Sequence, residues 1–229
     1  MLSQKYEGAK YEPDNFKSNF DNLCIDSSYY LSNQRDQQNY AFISWRMRDG
    51  NDSQKYVEQG EGYFVSSIIL LEQCLLENRD RKGDGVIFPI LFNIEQGIEL
   101  YLKGFIYLIR ENVASVNFKI NVHNIKQLLL NFTDTISSWS SNYADIACCN
   151  FDYVNRLIDL LFEKTTDCTY ARFPFDNSGN GHFYVNSSEN IIIDMKILLE
   201  WTKAVLYILN RNFNRLRMCT DKGNDTFTL

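Results

Sequence analysis

The sequence predicts a mainly α-helical fold, a bundle of four to five helices with a small β-hairpin before the last helix. The 229 residues include only 3 Pro and 11 Gly, too few for the many turns of a β-sandwich or barrel. Apolar residues make up 45% and charged residues 23% of the chain, which are the proportions of a globular protein. Apolar side chains recur at threes and fours in several long segments, the spacing of a helix face.

The helices are preceded by residues 1–50, which are polar and aromatic without a helical period. We expect this segment to be an arm that packs on the core. Ser53 is the expected N-cap of the first helix. Pro89 suits the first turn of the second helix, whose nearly continuous apolar surface predicts the central position in the bundle. The expected helices span about 53–79, 88–110, 125–139, 151–164 and 188–217, and a flexible tail follows at 218–229.

A segment without helical periodicity separates the fourth and fifth helices. Residues 169–186 place two aromatic-rich runs around Asp-Asn-Ser-Gly-Asn-Gly, which predicts a β-hairpin or a hairpin-like loop. With Phe175 opposite Gly181, Arg172 and His182 are diagonal neighbours on one face.

The net charge and the cysteines indicate which binding partners and which cellular compartment to expect. The net charge of −6 disfavours a large basic face for duplex DNA. Six cysteines include the adjacent Cys148 and Cys149, but no Cys/His spacing is typical of zinc, so we expect no metal and no cofactor. The absence of a signal-peptide pattern favours reduced thiols over disulfides. The N-terminus has no signal-peptide pattern and the apolar runs are shorter than a membrane span. These features predict a cytoplasmic protein without membrane contact.

The second helix carries the first group of candidate residues. Glu95, Glu99 and Lys103 lie at i, i+4 and i+8 and therefore share one face. Inside a bundle they would bind a ligand or relay a proton; on the surface Glu99 and Lys103 would be a weak ion pair. His123, just before the third helix, is either a general base or phosphate ligand, or an imidazole that packs that helix against Glu99. For His123 we favour the packing interpretation.

The hairpin carries the second group, Arg172, Asp176 and His182. Arg172 could bind a phosphate while His182 transfers a proton. In the alternative, which we favour, Arg172 pairs with a carboxylate of the bundle, and Asp176 and Gly179 only form the turn.

Three segments together resemble a known family. They are Glu99-Leu-Tyr-Leu-Lys103, His123-Asn-Ile125 and Arg172-Phe-Pro-Phe-Asp176 with Gly179, followed by a long closing helix. This order resembles uncharacterised prokaryotic HEPN-like helical proteins, over about residues 55–217.

The resemblance implies a dimeric helical bundle from an RNA-directed defence, toxin–antitoxin or stress system. Catalytic members of the wider superfamily are metal-independent ribonucleases with an Arg and a His a few residues apart on a late helix. The closing helix here carries Arg211, Arg215 and Arg217 but no His. If the chain cleaves RNA, we expect Arg172, His182 and His123 to carry the reaction.

Two functional hypotheses follow. The first is a HEPN-like effector or accessory protein that binds, and in its active form cleaves, RNA, with RNA or a nucleotide and a second copy of the chain as partners. The second is a catalytically inert helical scaffold that binds or regulates a protein partner encoded nearby.

Overall fold

Helices take up most of the described residues, so the mainly α-helical prediction is confirmed. The computed structural model describes residues 50–112, 122–139, 141–165, 169–188 and 190–224, together with Ala41 and Met47. The predicted arm at 1–50 and its packing on the core therefore lie almost entirely outside the described residues. The six helices of the described ranges are α1 (Asp52–Leu76), α2 (Lys82–Asn112), α3 (Ile125–Trp139), α4 (Ser141–Ala147), α5 (Asp152–Leu161) and α6 (Met195–Asn224). The chain divides into two units, Met1–Ile43 and Ser44–Leu229, and all six helices belong to the second.

α2 has more buried residues than any other described helix, and it contacts α1, α3 and α6. Its closest partner is α1, and small residues allow the two backbones to approach. A Cβ built on Gly97 would lie 2.6 Å from the ring of the buried Phe64, and one on Gly104 would lie 2.6 Å from Val57. The Phe64 ring in turn meets Tyr101 edge-on, with ring centroids 5.9 Å apart. The α1–α2 seam is therefore filled by aromatic rings packed over glycines.

Aromatic side chains also join the other helices to α2. The ring of Phe105 lies 5.2 Å from Phe132 of α3, 6.3 Å from Phe151 and 5.5 Å from Phe213 of α6, between centroids. All four rings are buried, and edge-to-face pairs of this kind add stability beyond their buried area. The high aromatic content of the sequence is thus used at the centre of the bundle.

α1 and α6 run antiparallel and are joined by a polar ladder along their lengths. Each rung joins one side chain of α1 to one of α6. The three rungs are Arg217–Gln54 at 3.2 Å, Asn210–Glu61 at 3.4 Å and Lys203–Glu72 at 2.6 Å. The Tyr101 hydroxyl donates to Asn210 Oδ1 at 2.7 Å, so α2 is tied to the same ladder.

The helix bounds depart from the sequence prediction in ways that local hydrogen bonds explain. α1 is capped by Asn51, whose Oδ1 accepts from the Gln54 N–H, and not by Ser53. α2 begins at Lys82, so Pro89 lies inside the helix and not in its first turn. Proline has no N–H to donate to the Gly85 carbonyl, and Gly85 is an exposed residue at which water can take the place of that hydrogen bond.

The last helix begins later than its predicted start at 188. Asp194 Oδ1 accepts from the N–H groups of Lys196 and Ile197 at 2.9 and 3.0 Å, the pattern of an N-cap. α6 continues to Asn224, through the first residues of the predicted tail. A short helix, α4, occupies part of the segment that the sequence indicated as a connection between helices.

The predicted β-hairpin at 169–186 is wrong, because this loop forms turns and the described residues contain no strand. One isolated antiparallel bridge joins Phe175 and Gly181, the two residues expected to face each other. The Tyr184 hydroxyl lies 2.8 Å from the Tyr170 carbonyl and 2.9 Å from the Phe173 carbonyl. A side chain therefore satisfies main-chain acceptors that strand pairing would otherwise use.

Candidate functional site

The predicted polar stripe of α2 is buried in the bundle. Glu95, Glu99 and Lys103 are 1%, 5% and 7% exposed. Lys103 Nζ donates to Glu99 Oε1 at 2.7 Å. The two charges therefore neutralise each other away from water, and the weak surface ion pair that was the alternative does not describe them.

His123 completes this cluster from outside α2. Its Nδ1 lies 3.1 Å from Glu99 Oε1, the oxygen that also accepts from Lys103, yet 82% of the His123 side chain is exposed. The residue precedes α3, whose first turn is capped by Asn124 through its Oδ1 and the Gln127 N–H at 3.0 Å. His123 thus contacts Glu99 as the packing interpretation expected, while its ring remains open to solvent.

The Glu99–His123 contact determines which nitrogen of the His123 ring can accept a proton. With a carboxylate beside Nδ1, the neutral ring carries its proton on Nδ1, and Nε2 is the nitrogen with the free lone pair. Nε2 lies on the side of the ring away from Glu99, where solvent reaches the side chain. A buried carboxylate behind an exposed imidazole can orient the ring.

The loop 169–186 lies against the first half of α2. The rings of Tyr184 and Phe88 are 4.7 Å apart between centroids, and the Arg172 guanidinium lies 5.7 Å from the Phe92 ring. Phe88 and Phe92 lie one turn apart and Glu95 follows on the same side of the helix. The loop therefore covers α2 next to the buried stripe.

Asp176 shapes this loop. Its Oδ1 accepts from the N–H groups of Ser178 and Asn180, both at 2.8 Å, and its Oδ2 accepts from Asn180 Nδ2 at 3.0 Å. The Asn180 side chain first, then the Asn180 and Ser178 N–H groups and nearby His182, hold the pKa of Asp176 below its usual value. Gly179 has φ +82°, a backbone conformation that glycine adopts without strain. Asp176 is therefore committed to the turn, as the alternative interpretation expected.

The structure places Arg172 and His182 in different surroundings. Arg172 is exposed, and its guanidinium lies over Phe92 and, at 5.2 Å, over Phe173. Within the described ranges it makes no ion pair, so the expected pairing with a carboxylate of the bundle is not found there. His182 is only 6% exposed and stacks on Tyr184 at 6.2 Å between ring centroids.

A groove of about 530 Å³ lies between the end of α5 and the loop. His182, Asp176 and Phe162 are among the residues that line it. The Lys126 ammonium lies 5.9 Å from the Phe162 ring centroid, and Lys126 follows His123 by three residues. The start of α3, with His123, is therefore next to the helix end that forms one wall of the groove.

For two residues of this region, nothing in the sequence indicates that they lie beside the candidate site. Lys126 and Phe162 continue the ordinary patterns of their helices, a polar first turn and an apolar face. Only the packing of α3 beside α5 brings them together between His123 and His182. Spacing along one chain segment cannot report a contact of this kind.

Comparison with protein-family models, curated proteins and solved structures finds no match to this chain. Within the described part of the chain, no group of three or more His, Cys, Asp or Glu side chains is arranged to hold a metal ion. None of its helices has both the length and the apolar character needed to cross a bilayer.

Proposed function

We propose that this protein is a HEPN-like effector or accessory protein of a prokaryotic defence, toxin–antitoxin or stress system, and that it cleaves RNA. One observation carries the proposal: the exposed His123 ring is held at 3.1 Å by the buried carboxylate of Glu99. An oriented histidine is the acid–base group that cleavage of RNA without a metal ion needs. The resemblance of about residues 55–217 to HEPN-like proteins supplies the substrate class.

The proposed reaction begins at Nε2 of His123, which accepts the proton of a ribose 2′-hydroxyl. The 2′-oxygen attacks the adjacent phosphorus, and the bond from phosphorus to the 5′-oxygen of the next nucleotide breaks. The 5′-oxygen takes the proton back from the imidazolium, so the ring returns to its neutral form. Glu99 stabilises the imidazolium between the two transfers, while Lys103 balances the charge of Glu99 in the resting protein.

Two exposed cations would bind the phosphates of the substrate, and Lys126 would exchange its 3.9 Å contact with Asp159 Oδ1 for a phosphate. Lys126 lies on the first turn of α3, three residues after His123, and Arg172 presents its guanidinium on the loop. Guanidinium groups bind phosphate through two hydrogen bonds. We rank His182 behind His123 as the acid–base group, because His182 is only 6% exposed whereas 82% of the His123 side chain is exposed.

The test is cleavage of a fluorescently labelled single-stranded RNA in the presence of a chelator. We expect His123→Ala to lower the rate by about 10²- to 10⁴-fold and to fold normally, since the ring lies on the surface. Glu99→Gln keeps the size of the side chain but removes its charge, and it should shift the pH–rate profile. His182→Ala is the matched histidine control and should retain most of the activity. Equal rates for wild type and His123→Ala would contradict the proposal.

A catalytically inert scaffold that binds or regulates a protein partner is the second candidate function. Exposed apolar side chains favour it, including Leu76 at the end of α1 and Ile192 and Ile197 around the start of α6. The starts of α2 and α6 are neighbours, since a Cβ on Gly83 would lie 2.8 Å from Met195 Sδ. RNA that is neither bound nor cleaved, together with a stable complex with a protein encoded beside this one, would favour the scaffold.

A further inference from the structure

The adjacent cysteines lie in a turn and not in a helix. α4 ends at Ala147, and residues 148–150 form a turn before α5, with Asn150 at φ +59°. Asn212 Nδ2 donates to the carbonyls of Ala147 and Cys149 at 2.9 and 2.8 Å. The buried Asn212 thus fixes this turn against α6 and holds both thiols, which are half-buried, in place.

Arg211 directs its positive charge at one of the two thiols. Its Nη2 lies 3.0 Å from Cys149 Sγ. The other contacts of the guanidinium are Asn212 Oδ1 at 3.3 Å and the ring of Tyr207 at 5.8 Å, and neither group is negatively charged. Among the described contacts of Arg211, the Cys149 sulfur is therefore the one that can carry a negative charge. A neighbouring guanidinium stabilises the thiolate, which is the nucleophilic form of cysteine.

Cys148 has the opposite surroundings. Burial first, and then the negative charge of Asp145, raise the pKa of the Cys148 thiol. Its neighbour Cys149 instead lies beside the Arg211 guanidinium. The pair therefore has one sulfur beside a guanidinium and one beside a carboxylate on consecutive residues, an asymmetry that suits a reacting and a resolving cysteine.

We propose that Cys149 is a modification site at which hydroperoxides oxidise the thiol, with Arg211 as the positioning residue and Cys148 as the resolving thiol. The Cys149 thiolate attacks the distal oxygen of a hydroperoxide, and the O–O bond breaks. The peroxide is reduced to an alcohol or water, and the Cys149 sulfur is oxidised to a sulfenic acid. The Cys148 sulfur then attacks the Cys149 sulfur, an S–S bond forms, and the hydroxyl group leaves as water with the Cys148 proton.

The resulting disulfide is expected to be reversible. Cα atoms of consecutive residues are about 3.8 Å apart across a trans peptide, which is shorter than the span of about 4.4–6.8 Å that disulfides usually bridge. A strained disulfide is more easily reduced. A dithiol reductant should therefore restore both thiols, and the site would report transient oxidation.

The test uses the full chain, hydrogen peroxide as oxidant, and dimedone to trap sulfenic acid, with the modified residues located by peptide mass spectrometry. In wild type we expect the Cys148–Cys149 peptide to lose two hydrogen atoms and take up no dimedone. Cys148→Ser should accumulate the dimedone adduct on Cys149. Cys219, which is free and also half-buried, is the internal control and should react more slowly.

Arg211 variants separate charge from packing. Arg211→Gln should slow the oxidation of Cys149 by about tenfold or more, while Arg211→Lys, which keeps the positive charge, should retain most of the rate. Equal rates for wild type and Arg211→Gln, or faster labelling of Cys219 than of Cys149, would overturn the site. A dimedone adduct on Cys149 in wild type would overturn the role of Cys148.

Discussion

Glu99 receives two donors on one oxygen, Lys103 from its own helix and His123 from the start of α3. Breaking a buried ion pair leaves an uncompensated charge, which typically costs about 3–5 kcal/mol. We expect Glu99→Gln and Lys103→Met each to lower the free energy of unfolding by a large amount, and the double variant to lose less than the sum. A double-mutant cycle measured by urea unfolding checks this coupling.

The matched control is Lys203–Glu72, which has a similar distance of 2.6 Å but side chains that are 50% and 46% exposed. Pairs in such surroundings usually contribute about 0.2–1 kcal/mol. We therefore expect weak coupling between these two residues. Equal coupling in the two pairs would mean that the burial of Glu99 and Lys103 does not decide their strength.

Asp176 should make the loop sensitive to acid at an unusually low pH. Because its folded-state pKa lies below the ordinary 3.8, the carboxylate contributes stability above pH 3.8 and loses it as the pH falls through the lower folded value. We expect the NMR titration of the Asp176 side chain to have its midpoint below 3.8, and Asn180→Ala to raise it. A midpoint at or above 3.8 in wild type would contradict the hydrogen bonds described for this loop.

Among single residues, the sequence could predict which side chains share a face but not what each one meets. The spacing of Glu95, Glu99 and Lys103 predicted their common face, because helical periodicity depends only on positions along one segment. Arg172 was different. Its neighbours Phe92 and Phe173 replace the expected carboxylate within the described residues, and that outcome depends on how the loop folds over α2.

At the scale of helices, the bounds were predicted correctly where apolar residues recur regularly and a capping residue marks the start of the helix. α3 has the predicted bounds, Ile125–Trp139, since its period is regular and Asn124 caps it. α2 was placed correctly in the centre, but its start was predicted too late because Pro89 was assigned to the first turn. The loop failed as a hairpin because the side chains of Asp176 and Tyr184 satisfy its main-chain groups.

The α1–α2 seam should be intolerant of an added methyl group. Gly97→Ala places a Cβ 2.6 Å from the ring of Phe64, which is fully buried and cannot move freely. Overpacking of this kind usually costs about 1–3 kcal/mol, more than the roughly 1 kcal/mol that Ala gains over Gly in a helix. We expect a net loss of stability, measured by thermal or urea unfolding.

Gly62, also in α1, is the control for that substitution. A Cβ at Gly62 meets nothing within 4 Å, so Gly62→Ala should stabilise the protein by about 0.5–1 kcal/mol through helix propensity. The two Gly→Ala variants are thus expected to change stability in opposite directions. Changes of the same sign would show that the α1–α2 packing is looser than described.

For the whole molecule, we predict a homodimer in solution. Ile192 is 89% exposed, and Ile191, Ile193 and Ile197 beside it in sequence are exposed too; apolar side chains grouped on a surface usually mark an interface. Sedimentation velocity at tens of micromolar should give a dimer, and Ile192→Asp should shift it toward monomer. Lys196→Asp, an exposed change on the adjacent turn, controls for charge. A wild-type protein that remains monomeric at this concentration would contradict the prediction.

The polar ladder between α1 and α6 also determines when the fold can be completed during synthesis. Its rungs join residues 131, 149 and 163 positions apart, and α6 leaves the ribosome after α1 to α5. Contacts of such sequence separation form late and slow folding. While α1 to α5 are already outside the exit tunnel, the α1 side chains of the ladder lack the α6 partners that they have among the described residues. Truncated nascent chains that end before Met195 should therefore depend on chaperones more than the finished protein does.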